Sequence, residues 1–116
     1  MMNVDELEYG LRQLDQIHLR LEWILSGKIS VPSQKLGLIV SDIRAFLAVS
    51  TILSLQFQKD VDTALSKIDL LVYDWLADGA PWSTDEMKQA MCGFRQIAAL
   101  IEKEQVRVRA CLSSKE

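Results

Sequence analysis

His18 is the only histidine in the chain, and two carboxylates stand at helical distances from it. Asp15 precedes it by three residues and Glu22 follows it by four, so on a helix the three occupy neighbouring faces. An imidazole beside carboxylates can carry a proton near neutral pH or, when neutral, ligate a metal. The second chemical candidate is Cys92, one of two thiols. It falls inside a helical pattern beside Gly93, with no histidine near it in sequence. A reactive thiolate needs an electropositive, partly exposed setting, so Cys92 is expected to be a small apolar packing residue.

The Asp15–His18 spacing is similar to half of the Glu-x-x-His arrangement in di-iron carboxylate bundles. Such bundles need a second histidine and more inward acids, whereas Asp42 and Asp69 only flank the apolar stripes of their helices. Arg12 and His18 also resemble the Arg-x5-His pair of HEPN-type ribonucleases, which implies both residues at a dimer cleft. Here the pair falls on the first helix rather than a later one, and an ideal helix sets the two about 120° apart. The preferred reading of His18 is a core or boundary residue bonded to a neighbour. The alternative is a helical HEPN-like ribonuclease or metal-dependent enzyme centred on Arg12, Asp15, His18 and Glu22. No catalytic, cofactor-binding or metal residue is assigned, and no cofactor is called for.

The elements that position these residues are helical throughout. The 116 residues have the size of one domain, 1–116, and are 49% hydrophobic and 25% charged, as ordinary globular chains are. A net charge of -3 and a pI near 5.1 argue against a nucleic-acid partner, which demands a basic field. Lys103, Arg107, Arg109 and Lys115 are expected to be cations serving the negative end of the last helix. Cys92 and Cys111 on one helix would lie about 28 Å apart, beyond disulfide reach. Unpaired thiols and an acidic start without a signal-like apolar core make a cytoplasmic location the expectation, with no membrane partner.

Apolar spacing predicts a first helix over Asn3–Ser26 with Val4, Leu7, Leu11, Leu14, His18, Leu21 and Leu25 along one seam. Gly27 would end it and Pro32 would open a second helix over Ser33–Leu55. Leu36, Ile39, Val40, Ile43, Phe46, Leu47 and Leu53 would face inward there. A third helix, Asp60–Ala77, would bury Val61, Ala64, Leu65, Ile68, Leu71, Val72, Trp75 and Leu76. The last helix begins with Ser83 and Glu86 spaced as a capping box, with Trp82 and Met87 as its hydrophobic staple after the turn at Asp78-Gly79-Ala80-Pro81. Its stripe is Met87, Ala90, Met91, Phe94, Ile97, Ala98 and Ile101, fading beyond Glu104, with a frayed tail from Leu112. Gly93 either admits a close neighbour, another helix or Trp75 or Phe46, or is a tolerated weakness. The fold expected is an all-α, antiparallel four-helix bundle. Because no glycine or proline separates the middle helices, three helices with one long central helix is the alternative.

The functional clue is surplus apolar surface. Ala45–Gln58 is a fourteen-residue run without charge, and a helix with no wet face must be enclosed by something. On the first helix Tyr9, Leu19 and Trp23 form a second apolar set interleaved with Arg12 and Arg20, a composition found at binding hot spots. Leu38, Val49, Ile52 and Leu55 fall outside the seam of the second. Tyr9, Arg12, Leu19, Arg20, Trp23, Val49, Ile52 and Leu55 are therefore the candidate protein-binding residues. The expected function is a non-enzymatic protein-binding bundle of adaptor, chaperone, toxin-neutralising or regulatory type. A homodimer through the first two helices is expected, since two-fold pairing is the commonest oligomer.

Overall fold

The computed structural model describes residues 3–26, 33–78 and 83–115, excepting the side chains of 33–36, 71–78 and 115. Asn3 opens α1 (Val4–Leu25), its Oδ1 accepting the Glu6 N–H at 2.8 Å. Asp5 and Glu6 place negative charge in the first turn, where the helix dipole favours it. α2 follows as Ser33–Val49, α3 as Leu55–Asp78 and α4 as Thr84–Lys115. The capping box at Ser83 forms as the spacing predicts: Ser83 N–H donates to Glu86 Oε1 at 2.9 Å, and Glu86 N–H donates to Ser83 Oγ at 3.2 Å. Gly27, Pro32, Trp82, the Gly79–Pro81 turn and the side chains of Leu36, Leu71, Val72, Trp75 and Leu76 lie outside the described residues.

The chain runs up, down, up and down. Asp15 meets Gln105 and His18 meets Glu102, so α1 and α4 are antiparallel. Ser54 meets Glu104 while Ile68 lies on Gly93, so α3 also opposes α4. Arg44 of α2 pairs with Asp62 at 3.1 Å and with Asp69, tying α2 to α3. This is the expected four-helix bundle, 51 × 26 × 18 Å, with α4 packed along both α1 and α3 and α2 resting on α3. The backbones of α1 and α2 hardly approach each other.

One core joins Leu7, Leu14 and Leu21 of α1, Ile43 and Phe46 of α2, Val61, Leu65 and Ile68 of α3, and Phe94, Ile97 and Ile101 of α4. The α4 stripe matches the expected residues. The α1 stripe is wider than the three-four seam: Gly10, Ile17 and Ile24 are buried too, Leu11, His18 and Leu25 are half-buried, and Val4 is exposed. Gly93 is buried against α3, and a Cβ there would stand 2.9 Å from Ile68 Cδ1. Its role is close approach of a helix.

The break in the middle of the chain falls earlier than Ser54–Asp60. α2 stops at Val49, five residues form a corner, and α3 starts at Leu55. Ser54 is the physical reason: its Oγ accepts the Phe57 N–H at 3.2 Å and its carbonyl the Gln58 N–H at 3.1 Å, a serine N-cap. Three helices with one long central helix is therefore not the fold of this single chain. Ile52, expected outside the seam, is instead 2% exposed because the corner turns it inward onto Gly10. The uncharged run is therefore split across a helix end, a corner and a helix start, and Ala45, Ala48, Val49, Thr51, Leu55 and Gln56 are exposed.

The end of α4 departs from expectation as well. It stays helical to Lys115, Val108 is fully buried, and Leu112 packs partly against the core. The stripe continues there through polar residues that have partners. Cys92, expected inside, is exposed, and both cysteines are free.

Candidate protein-binding face

Where α1 and α2 diverge they leave a groove of about 450 Å3 lined by Tyr9, Gly10, Gln13, Phe46, Val49 and Ile52, among others. Its floor is the contact between Gly10 and Ile52. A Cβ on residue 10 would lie 2.1 Å from Ile52 Cδ1 and 2.6 Å from its Cγ1, so any larger residue there would force Ile52 to move. Further along the same pair of helices, Leu19, Trp23 and Ile24 face Leu38 and Ile39 across a second apolar depression. Trp23 is 56% exposed there and Val49, in the first groove, 77%. Arg20 and Asp42, 3.0 Å apart, border both depressions and bridge the two helices. Both partners are more than half exposed, so the pair contributes only about 0–1 kcal/mol.

The structure thus brings together Tyr9, Leu19, Arg20, Trp23 and Val49 on the α1–α2 side, joined by Leu38. Ile52 is corrected from a contact residue to the buried floor. Leu55 is exposed but lies elsewhere, on the α2–α3 side beside Arg44, Leu47 and Asp62. Arg12 is exposed and lines neither depression.

His18 occupies the boundary position expected of it. Its Nδ1 lies 3.3 Å from Glu22 Oε1 and its Nε2 3.1 Å from Glu102 Oε1, so the ring links α1 to α4. Asp15, the third member of the candidate cluster, is engaged otherwise, accepting from Gln105 Nε2 at 2.6 Å and Arg109 Nη2 at 3.3 Å. Among the described residues no three histidine, cysteine or acidic side chains are placed to hold a metal ion.

Sequence reasoning missed the polar cluster under the corner. Glu104 is 3% exposed and accepts from Ser54 N–H at 2.8 Å, Ser54 Oγ at 3.2 Å and Arg107 Nε at 2.6 Å. Arg107 Nη2 donates to the Ile52 carbonyl at 2.6 Å. The hydrogen bond to Glu104 raises the Arg107 pKa above its ordinary value, its charge adding to the effect and burial opposing it. Arg107 and Arg109 therefore serve the corner and α1, and the expectation that they serve the helix terminus is corrected. The available signal is the three-four rhythm itself, since Ile101, Glu104, Gln105 and Val108 continue the buried stripe.

Comparison with protein-family models, with curated proteins and with solved structures returns no significant match. Among the described residues no helix is long and apolar enough to cross a membrane.

Proposed function

We propose that this chain is a non-enzymatic binding protein of the adaptor, chaperone, toxin-neutralising or regulatory kind that takes an amphipathic helix of a partner protein along the α1–α2 face. The observation that carries the reading is the gathering of Tyr9, Leu19, Trp23, Leu38 and Val49 on one side of the molecule, all more than half exposed. An apolar groove between two helices suits a third helix laid along it, whose i, i+3, i+4 and i+7 residues enter the depressions. Burying each large apolar side chain is worth about 1.5–3 kcal/mol, so a few of them support a lasting complex. Aromatic and arginine side chains supply the usual anchors of such contacts. Glu6 lines the Tyr9 end of the groove, while Asp42 already has Arg20. The fitting partner helix therefore carries an apolar stripe with a cationic residue near that end.

The test places a photo-crosslinking amino acid at Leu19, at Leu38 or, as a control face, at Gln96, in cells of the source organism. One protein adduct shared by Leu19 and Leu38, absent at Gln96 and lost when Trp23→Asp is added, is the expected result. Equal adducts from all three positions, or none at Leu19 and Leu38, would refute the reading.

A further inference from the structure

The corner at Ser50–Ser54 is held by the cap of Ser54 and by side chains of α4 rather than by a glycine or a proline. No glycine or proline occurs between Gly37 and Gly79. The apolar rhythm of α2 passes through it into α3 without a change of phase: Ile43, Phe46, Ser50, Leu53, Phe57 and Val61 fall at steps of three and four. What interrupts this helix is the cap of Ser54 together with Glu104 and Arg107 of α4, which take the Ser54 N–H and the Ile52 carbonyl. α2 is lightly held besides: it packs on α3 and hardly touches the backbone of α1.

We infer that this corner is a hinge, and that a second copy of the chain is bound by straightening it, so that α1 and α2 of each copy pack on α3 and α4 of the other. The straightened form runs as one helix from Ser33 to Asp78, about 70 Å long at 1.5 Å per residue. It exchanges the corner's side-chain contacts for continuous backbone hydrogen bonds. The pairs His18–Glu102, Asp15–Gln105 and Arg44–Asp62 re-form between copies, and so does the apolar core. Two states that share nearly all their contacts differ little in free energy, which makes exchange of identical elements a low-cost route to a dimer. This dimer differs from the one expected from the sequence, which pairs the apolar faces of the first two helices, and the inference goes beyond the docking reading because it needs no occupant of the α1–α2 groove.

The experiment measures mass by light scattering after warm incubation at high micromolar concentration, with helicity followed by circular dichroism. The wild type is expected to form a dimer that reverts slowly, because reversion must open the core. Arg107→Met removes the charged hydrogen bond to the Ile52 carbonyl, which only the bent form makes, and is expected to raise the dimer-to-monomer ratio about tenfold or more. Adding Thr51→Pro, at an exposed position outside both helices, is expected to return the protein to a monomer with its helicity kept. Thr51→Gly is expected to lower the ratio in the same direction, since glycine weakens a continuous helix. Trp23→Asp leaves this dimer in place while abolishing the crosslink of the docking reading, so the two proposals fail separately. An Arg107→Met protein that stays monomeric with full helicity overturns the hinge. A dimer that persists with Thr51→Pro, or a ratio that Thr51→Gly does not lower, does the same. Loss of helicity in Arg107→Met also overturns it, because the corner would then be a fixed requirement of the fold.

Discussion

Replacing Gly10 by alanine should destabilise this protein, although the same change in an ordinary helix interior is favourable. Gly10 lies in the middle of α1, where alanine gains about 1 kcal/mol in helix propensity. Against that, the new methyl would meet Ile52 Cδ1 at 2.1 Å and Cγ1 at 2.6 Å, with Ile52 Cβ at 3.7 Å. Rotation of Ile52 could free its end, but Ile52 is 2% exposed and lies within the core cluster. Overpacking of this kind costs about 1–3 kcal/mol, so the net effect expected is a loss of up to about 2 kcal/mol after the propensity gain. Urea unfolding at low micromolar concentration, followed by the helical signal, reads this as a midpoint lowered by up to about 1 M. Ile52→Ala alone should cost about 2–5 kcal/mol through its cavity. In the double variant the methyl added at position 10 partly fills that cavity, so the two losses should sum to more than the measured one. A Gly10→Ala protein more stable than the wild type, or strict additivity, would show that the corner does not seat on α1.

Two further outcomes test other joints of the bundle. Glu104→Gln keeps the shape of the buried side chain but replaces one of its two accepting oxygens by an amide donor, so either Arg107 or the Ser54 N–H loses its acceptor, and should cost about 1.5–3 kcal/mol in the same unfolding measurement; an unchanged midpoint would show that the cluster contributes no net stability. Ser83→Ala removes one half of the capping box and should cost about 1 kcal/mol, with the loss of protection in amide hydrogen exchange confined to the first turn of α4.

The outcomes at Ser83 and Ser54 show what in this chain is legible from sequence. Ser83 is read correctly because its cap is local: partner and recipient lie three residues apart, and the flanking residues carry no competing rhythm. Ser54 makes the same kind of cap at α3, yet the pattern on either side of it runs on in phase, so nothing local marks the corner. Its position depends on Glu104 and Arg107, fifty residues or more downstream in the chain. Ile52 departs from expectation for the same reason, because its direction is set by the corner and not by a helical wheel. The apolar set Tyr9, Leu19 and Trp23 is readable, being a matter of which face of one helix carries which residues. That Leu38 joins it and Leu55 does not depends on how α2 and α3 are set relative to α1, which no single-helix pattern contains.

The same contrast explains why a long uncharged segment here does not imply enclosure. An uninterrupted helix over Ala45–Gln58 would present apolar side chains on most of its circumference, and burial would have to come from outside. Folding the segment at Ser50–Ser54 divides the problem. Phe46, Ile52, Leu53 and Phe57 go into the core, and the remaining apolar residues fall on two separate surfaces, Val49 toward α1 and Leu55 toward the outer seam of α2 and α3. The surplus that remains is smaller than the run implies and is concentrated on α1 and the facing side of α2. A buried carboxylate with its hydrogen bonds filled, Glu104, is what makes this division possible, since it caps backbone that the bend would otherwise leave unpaired. Straightening the corner removes the need for that cap and re-forms one continuous apolar rod. Monomer and exchanged dimer are therefore alternative ways of covering the same seam, Ile52 excepted, and the hydrogen bonds from Glu104 and Arg107 to the corner bias the chain toward the first.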